Sequence, residues 1–167
     1  MVKMNIVKGG RTTYGYDVGI IMLDTQFPRI VGDIGNAKSF GYPVLYEKVE
    51  NWKPNKVVLD LNKSDIEPFI HAAQKLEKSG CRVISTSCGF LSLFQKELAD
   101  CVDAAVVTSA LLMAPMIKNT ISGHKKVCIL TANKSTLSDF HLSAVGIQRD
   151  EYLIYGLEKE KTFTNYK

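Results

Sequence analysis

Short apolar runs alternate along this chain with longer segments whose apolar residues recur at helical spacing. Several runs are nearly continuous in apolar side chains, which is typical of strands that are buried on both faces of a parallel sheet. Turn-forming or polar residues bound most of them. The predicted strands occupy residues 17–23, 44–49, 81–86, 104–108, 127–130 and 152–155.

Helical spacing is clearest in residues 64–80, where apolar side chains recur every three or four positions. Ser64 and Glu67 have the spacing of a capping box at the start of this segment. Gly80 stands where a helix commonly ends, because glycine readily adopts the left-handed conformation of a C-terminal cap. Further helices are predicted at residues 91–99, after Ser109, and at 135–144.

The order of these elements predicts an α/β fold. Strands that alternate with helices form βαβ units, so we expect three layers, α/β/α, with a mainly parallel sheet. The last strand, helix and strand predict the start of a second α/β unit, and we place the boundary between residues 1–122 and 123–167. Residues 26–43 carry several Gly and Pro residues and predict a long loop, a feature that is often functional in compact domains.

Composition places the chain among ordinary globular proteins and excludes several function classes. Of its 167 residues, 46% are hydrophobic and 23% are charged. The net charge is +4, but the lysines are scattered and do not form the basic stripe of a nucleic-acid-binding protein. No apolar run approaches the roughly 18 residues that a membrane-spanning helix requires. The N-terminal residues lack the apolar core of a signal peptide, so we expect a cytoplasmic protein.

The chain has four cysteines, Cys81, Cys88, Cys101 and Cys128. In a cytoplasmic protein of this size we expect them to be reduced. No Cys-x-x-C pair is present, so the sequence predicts no metal site. Cys81 and Cys128 lie within apolar strands and are predicted to be buried in the core, whereas Cys101 follows a helix and is predicted to be a packing or surface residue.

Short polar residues follow the predicted strands at the point where each strand ends. Ligands of parallel sheets bind at the carboxyl ends of the strands, so we expect these side chains to share one rim. Their hydroxyl and amide groups suit the rim to binding a small carboxylate. The residues are Asp24, Thr25, Thr86, Ser87, Cys88, Thr108, Ser109, Thr131 and Asn133.

Cys88 is the residue best placed for chemistry. It lies between a predicted strand and a predicted helix, where the helix dipole and loop N–H groups can stabilise a thiolate and lower the thiol pKa from about 8.5. Gly89 allows the backbone to approach a ligand closely. The structural alternative is a small buried side chain that happens to end a strand.

Other thiol chemistries do not match the spacing. A phosphatase loop of the form Cys-x5-Arg would have arginine at the position that Phe94 occupies. A Cys–His pair of the protease type would need one of His71, His124 and His141, and for each of them an ordinary structural role is favoured.

Five segments carry a further signal when they are taken together and in order. They read GIIMLDTQFPRIVGDIGN (19–36), TSCGFLSLFQKEL (86–98), TSALLMAP (108–115), KVCILTAN (126–133) and HLSAVGI (141–147). With them the chain resembles the aspartate/glutamate racemase superfamily, especially its hydantoin-racemase-like and uncharacterised members. The resemblance implies a cofactor-independent enzyme with two cysteines. One thiolate removes the proton next to the substrate carboxylate, and the other thiol protonates the opposite face.

The resemblance also implies roles for residues of the rim. Cys88 matches the first of the two catalytic cysteines, and Arg29 is an outside candidate for a counter-charge. No cofactor and no metal is implied. The residues implied in binding the substrate or framing the thiol are Asp24, Thr25, Ser87, Gly89, Phe90, Thr108, Ser109 and Thr131.

The chain departs from the superfamily at the second cysteine. Superfamily members carry it in a Cys-Thr motif well into their second half, but no cysteine follows Cys128 here. We therefore expect an incomplete, truncated racemase-like protein that takes an amino acid or small carboxylate and has little activity alone. Exposed apolar surface where a second half docks would favour a homodimer. Two alternatives stay open: a non-catalytic α/β module that binds a small carboxylate or a partner chain, and a one-thiol decarboxylase or isomerase.

Overall fold

The main sheet of the protein, in a computed structural model that describes residues 9–161, consists of four parallel strands. They are β1 (Val18–Leu23), β2 (Val44–Val49), β3 (Val83–Thr86) and β4 (Ala105–Val107). Their order across the sheet is β2-β1-β3-β4. The register sets Val18 of β1 beside both Val44 and Val83, so β1 is the central strand at which the topology reverses.

Helices and short 3-10 turns connect the strands. None of the helices between residues 9 and 161 has the length and apolar content needed to cross a bilayer. The helices are α1 (Pro54–Asp60), α2 (Glu67–Lys78), α3 (Gln95–Asp100), α4 (Ala114–Thr120) and α5 (Asp139–Ser143). The 3-10 turns are Ala37–Ser39, Lys63–Asp65, Gly89–Phe94, Ala110–Met113 and Arg149–Glu151.

Helix α2 lies on one face of the main sheet and comes very close to β1. It buries Phe69 and Leu76, both of which are no more than 1% exposed. A Cβ atom on Gly19 of β1 would stand 3.0 Å from the Leu76 side chain and 3.1 Å from the sulfur of Cys81. Glycine at position 19 therefore allows the helix and the strand to pack without a gap.

A smaller sheet of two parallel strands, β5 (Cys128–Thr131) and β6 (Leu153–Gly156), follows the main sheet. Helix α5 connects the two strands and packs against the turn that follows β3. There the His141 ring meets the Phe90 ring edge-on, with 5.3 Å between centroids. Side chains of both sheets belong to one buried apolar cluster, which includes Ile21, Leu76, Ile84, Phe94, Ile129 and Leu142.

The predicted α/β class, with a mainly parallel sheet and flanking helices, is confirmed. Each observed strand overlaps a predicted one. The boundary predicted after residue 122 falls between α4 and β5 and stays a prediction.

The predicted capping box of Ser64 and Glu67 is wrong. Asn62 and Asp65 form it instead, and the backbone N–H of Asn62 donates to the Asp65 carboxylate at 3.0 Å. This box closes a 3-10 turn, and α2 begins only after it. Pro68 in the first turn of α2 has no N–H group to be capped, which fits a helix start without a side-chain cap.

Two other predicted helices are shorter than expected. The segment 91–99 begins as the 3-10 turn Gly89–Phe94 and becomes α-helical only in α3. In the segment 135–144 the side chain of Asn133 accepts the backbone N–H of Ser135 at 2.9 Å. This hydrogen bond holds a turn that delays the start of α5.

The predicted burial of Cys128 is wrong, whereas Cys81 is buried as predicted and Cys101 is half-buried. Cys128 and Leu130 point to the same side of β5, and that side is exposed. The apolar run of β5 therefore has one buried face, towards Ile129, and one uncovered face.

Candidate functional site

The carboxyl ends of β1, β3, β4 and β5 open onto one cleft of about 1910 Å³. All the site residues predicted from the sequence line this cleft, although they come from four strands. They are Asp24, Thr25, Ser87, Cys88, Gly89, Phe90, Thr108, Ser109 and Thr131, together with Arg29. The structure thus brings these residues together, and their individual roles stay predictions.

Cys88 stands in extended backbone between the end of β3 and the 3-10 turn Gly89–Phe94. The residue before it is tied to the central strand: the N–H of Ser87 donates to the Ile21 carbonyl at 2.9 Å, and the Ser87 hydroxyl accepts the N–H of Leu23 at 3.1 Å. The residue after it lies close to β4, since a Cβ atom on Gly89 would stand 3.1 Å from the Ser109 hydroxyl. Sheet hydrogen bonds therefore hold the turn that carries the thiol.

Two buried threonines and the half-buried Gln95, behind the turn, form a hydrogen-bond network that sequence reasoning missed. The Thr86 hydroxyl donates to the Thr108 carbonyl at 2.6 Å. Gln95 accepts the hydroxyl of Thr108 at 2.7 Å and its N–H at 3.0 Å, and donates to the Val106 carbonyl at 2.9 Å. The proton of the Thr108 hydroxyl is thus used within the fold, and its role in holding a carboxylate stays a prediction. Gln95 lies in the segment 86–98 that contributes to the family resemblance, but nothing in that segment distinguished its side chain from its neighbours.

The predicted lowering of the Cys88 pKa is wrong. Burial raises the pKa of the thiol to about 11, against the opposing effect of a hydrogen bond from the Phe90 backbone N–H. The turn Gly89–Phe94 has six residues and 3-10 geometry, so it supplies no long helix dipole. In the protein alone, Cys88 is therefore a neutral thiol at pH 7.

Arg29 organises the loop between β1 and β2. Its guanidinium donates to the Thr25 hydroxyl at 3.0 Å and to the Asp33 carboxylate at 2.7 Å, and it lies 4.6 Å from the centroid of the Phe27 ring. Burial would raise the pKa of Asp33, but hydrogen bonds from Arg29 and from the Gly35 N–H hold it below the ordinary value. The charge of Arg29 is thus largely balanced within its own loop.

The other predicted rim residues have simpler surroundings. Asp24 forms an ion pair of 3.6 Å with Lys48. Ser109 caps the turn Ala110–Met113, because its hydroxyl accepts the N–H of Leu111 at 3.2 Å. Thr131 ends β5, and its carbonyl accepts the N–H of Leu157.

His71 and His124 have the ordinary roles expected of them. The His71 ring lies 3.2 Å from the Glu67 carboxylate at an exposed position, and His124 contacts the Ser122 hydroxyl. His141, by contrast, is 5% exposed and lies behind Phe90. Its Nδ1 accepts the backbone N–H of Ser138, and its Nε2 has no hydrogen-bond partner among the described residues. Burial lowers the pKa of this ring.

All four cysteines are free thiols. Within residues 9–161, no group of three or more His, Cys, Asp or Glu side chains has an arrangement that could hold a metal ion.

Apolar side chains make up much of the cleft wall, and two of them, Val107 and Leu130, lie in strands that were predicted to be buried. Among the residues that the structure describes, seven large ones are at least 39% exposed: Phe27, Ile30, Leu59, Val107, Met113, Ile117 and Leu130. Among the lining residues between positions 9 and 161, four are charged, two of each sign: Asp24, Arg29, Lys53 and Glu158.

No family model matches the chain. It is 30% identical to a dimethylsulfoniopropionate lyase of Durusdinium sp. clade D over 157 residues, which are 87% of this chain and 51% of that protein. It is 28% identical to dimethylsulfoniopropionate lyase 7 of Emiliania huxleyi (strain CCMP1516) over 147 residues, 84% of this chain and 43% of that protein. The chain thus spans about half the length of these curated relatives.

Among solved structures, the chain is similar to an aspartate racemase homologue from Pyrococcus horikoshii OT3, with a TM-score of 0.46 and 19% identity over 89% of this chain and 68% of that one. The curated relatives, however, are lyases. The racemase function predicted from the sequence is therefore wrong. The chain is similar over most of its length to part of a carbon–sulfur lyase.

Proposed function

We propose that this chain forms the Cys88-bearing part of a lyase that acts on dimethylsulfoniopropionate or a similar β-sulfonium carboxylate. The observation that supports it most combines a structural feature with a sequence similarity. A thiol and short polar groups line one cleft at the ends of four parallel strands. The chain that carries them is 30% identical to a dimethylsulfoniopropionate lyase.

The reaction proposed is a β-elimination in which Cys88 acts as the base. The thiolate takes the proton from the carbon next to the carboxylate, and that C–H electron pair becomes the new carbon–carbon double bond. The carbon–sulfur bond breaks, and dimethyl sulfide leaves with its electron pair, so that acrylate remains. Atoms and charge balance without an oxidant or a cofactor, and Cys88 ends the step as a thiol.

The positive charge of the substrate suits the state of the thiol. Cys88 has a pKa of about 11 in the protein alone, so little thiolate is present at pH 7. A sulfonium group bound in the cleft brings a positive charge close to the sulfur, and an opposite charge at such a distance favours the ionised thiol. The substrate thus contributes to the activation of its own base.

The remaining rim residues are proposed to bind the two ends of the substrate. Ser87, Ser109 and Thr131 offer hydroxyl groups to the carboxylate, and N–H groups of the turn after Cys88 stabilise the charge that develops on it. Asp24 offers a negative charge to the cation, and Phe90 frames the thiol. Thr25, Gly89 and Thr108 shape the pocket around these groups.

A non-catalytic module that binds a small carboxylate is the second candidate. The neutral state of Cys88 and the open cleft of about 1910 Å³ favour it for the chain acting alone. The two candidates differ in whether any bond to the substrate breaks.

The test is the release of dimethyl sulfide from dimethylsulfoniopropionate, measured by gas chromatography of the headspace. We expect release above the buffer rate that is lost in Cys88→Ser. The matched control is Cys101→Ser, because Cys101 is a half-buried thiol that does not line the cleft. Release that survives Cys88→Ser would remove the thiol from the mechanism. Saturable binding of the substrate without any release would favour the binding module.

A further inference from the structure

One buried residue of the neighbouring strand holds both ends of the turn that carries the thiol. This residue is Thr108, which follows β4 and is completely buried. Its carbonyl accepts the hydroxyl of Thr86, the last residue of β3, at 2.6 Å. Its N–H and its hydroxyl both donate to the side-chain oxygen of Gln95, at 3.0 and 2.7 Å. Because Gln95 directly follows the turn Gly89–Phe94, the chain from Thr86 to Gln95 is closed into a ring through Thr108.

The chemistry of the partners fixes the direction of each hydrogen bond in this ring. The Val106 carbonyl can only accept, so the Gln95 nitrogen faces it at 2.9 Å, and the Gln95 oxygen accepts both donors of Thr108. A reversed Gln95 amide would bring two donors together at Thr108 and two acceptors together at Val106. The Thr108 carbonyl can also only accept, so the Thr86 hydroxyl donates its proton there. A lone pair of the Thr86 oxygen then faces the N–H of Cys88, at 3.4 Å.

The backbone on both sides of the thiol is fixed by the same ring. The Cys88 carbonyl accepts the N–H of Leu91 at 3.0 Å, within the turn, and lies 3.0 Å from the Thr86 hydroxyl oxygen. The N–H of Phe90 donates to the Cys88 sulfur, and this hydrogen bond opposes the burial that raises the pKa of the thiol. Such a bond stabilises the thiolate more than the neutral thiol, but only while the donor stays aligned with the sulfur. The alignment of Phe90 therefore depends on the closure of the turn.

We propose that Thr86 and Gln95 are positioning residues for Cys88. Acting through Thr108, they hold the turn so that the Phe90 N–H stays directed at the sulfur. Threonine and valine have nearly the same shape, so packing alone would be met by valine at positions 86 and 108. Both threonines instead use their hydroxyl groups in the ring. The inference rests on the proposed function, since it takes Cys88 as the base that must ionise.

The test is the rate at which iodoacetamide alkylates Cys88 in this chain, followed by mass spectrometry of the Cys88 peptide. The thiolate is the species that reacts, so at about pH 8 the rate is proportional to the small ionised fraction of the thiol. Thr86→Val keeps the shape of the side chain and removes its hydroxyl, and we expect it to slow alkylation by about three- to tenfold. Thr86→Ser keeps the hydroxyl and is expected to restore most of the original rate.

A second variant and a matched control examine the rest of the ring. Gln95→Met removes the amide and keeps the length of the side chain. Because Gln95 acts on Cys88 only through Thr108, we expect a smaller slowing of about two- to threefold. Ser85→Ala is the control, since the Ser85 hydroxyl donates to the Val107 carbonyl at 2.9 Å between the same two strands but outside the ring. It is expected to leave the rate unchanged.

The sign of the change separates positioning from a purely structural role. If the Thr86 hydroxyl only stabilised the fold, its loss would let the turn open, and an exposed thiol with an ordinary pKa of about 8.5 would react faster. Faster or unchanged alkylation of Cys88 in Thr86→Val would therefore overturn the proposal, and so would equal slowing in Thr86→Ser. The exposed thiol of Cys128 is the internal reference and is expected to react at the same rate in every variant.

The thermal midpoint of each variant serves as the check on folding. Where Thr86→Val does not fold, Gln95→Met decides, and an unchanged or faster rate in that variant overturns the proposal. Alkylation needs no substrate, so its outcome is separate from that of the proposed reaction. Release of dimethyl sulfide that depends on Cys88, together with unaltered alkylation in Thr86→Val, would keep the proposed function and reject the positioning role.

Discussion

The two sheets are built from the same kind of strand but differ in what covers them. In the main sheet, Ile20 and Ile21 of β1 point to opposite faces and are 1% and 0% exposed. In the second sheet, Ile129 of β5 is buried, whereas its neighbour Leu130 is 68% exposed. Both strands are continuous apolar runs in the sequence. An apolar run therefore indicates that both faces of a strand need cover, but it does not show which segment provides that cover.

Shortening one side chain in each sheet tests this difference most directly. Ile21→Ala removes a completely buried side chain, and we expect the free energy of unfolding to fall by about 2–5 kcal/mol. Leu130→Ala is the counterpart in the second sheet and is expected to change it by no more than about 0.5 kcal/mol. Urea denaturation followed by circular dichroism measures both. Similar losses would show that β5 is covered in solution.

Cys88 lies where the covered and uncovered regions meet, and its ionisation reports the charge in the cleft. Without ligand, the rate of alkylation is expected to rise with pH until about 11, because burial raises the pKa. A trimethylammonium analogue of the substrate should lower this apparent pKa by about 1 to 3, since a positive charge favours the thiolate. The neutral tert-butyl analogue, which has the same shape, should not. An equal response to both analogues would exclude an effect of the charge.

Strands β3 and β4 allow a comparison of part-buried and exposed hydrogen bonds. Gln95→Ala removes a side chain that bonds the Val106 carbonyl and the Thr108 N–H at part-buried positions, and is expected to cost about 1–3 kcal/mol of stability. Ser85→Ala removes the hydroxyl that donates to the Val107 carbonyl at an exposed position, where water can replace it. We expect a loss of no more than about 0.5 kcal/mol there. Thermal and urea unfolding measure both losses of stability, and a reversed order would contradict the difference in burial between the two hydrogen-bond sets.

The smallest expected effect concerns His141, which joins the second sheet to the turn that carries Cys88. Burial holds its pKa in the folded protein below the usual 6.5, so the unfolded chain binds a proton at higher pH than the folded one. The contribution of the neutral His141 ring to the free energy of unfolding is complete above about pH 6.5. It is lost as the pH falls, with a slope of at most about 1.4 kcal/mol per pH unit. His141→Leu should flatten this slope in urea titrations between pH 7 and 5. His71→Gln is the exposed control and should keep it.

Much of the fold follows from the apolar runs. Strand β2 occupies Val44–Val49, the predicted range, because a short apolar segment between turn signals leaves little choice. The gathering of polar residues at one rim was also predictable, since parallel strands bring their carboxyl ends to the same edge. Cys128 shows the limit of this reasoning. Apolar side chains occur both at buried positions and at positions that a further segment would cover. The pattern alone therefore predicted that Cys128 is buried.

The chemistry of the site was less accessible from the sequence than its position. The pKa of Cys88 depends on how the turn after β3 packs, and a Gly followed by apolar residues is compatible with a helix or a 3-10 turn. His141 and Gln95 reach the site from behind, through tertiary contacts that no spacing in the chain encodes. The residues of the rim did not distinguish the predicted racemase from the proposed lyase, because both reactions can begin with proton removal next to a carboxylate.

The attachment of Ser87 to β1 has a consequence for any assembly. Its two hydrogen bonds to Ile21 and Leu23 continue the strand pairing one residue past β3. The backbone that carries the Cys88 sulfur is therefore held directly by the central strand. Closing the cleft can then change hydration and electric field around this atom while its coordinates stay fixed. A gain in Cys88 reactivity on assembly would therefore reflect a change in the surroundings of the sulfur atom rather than a change in its position.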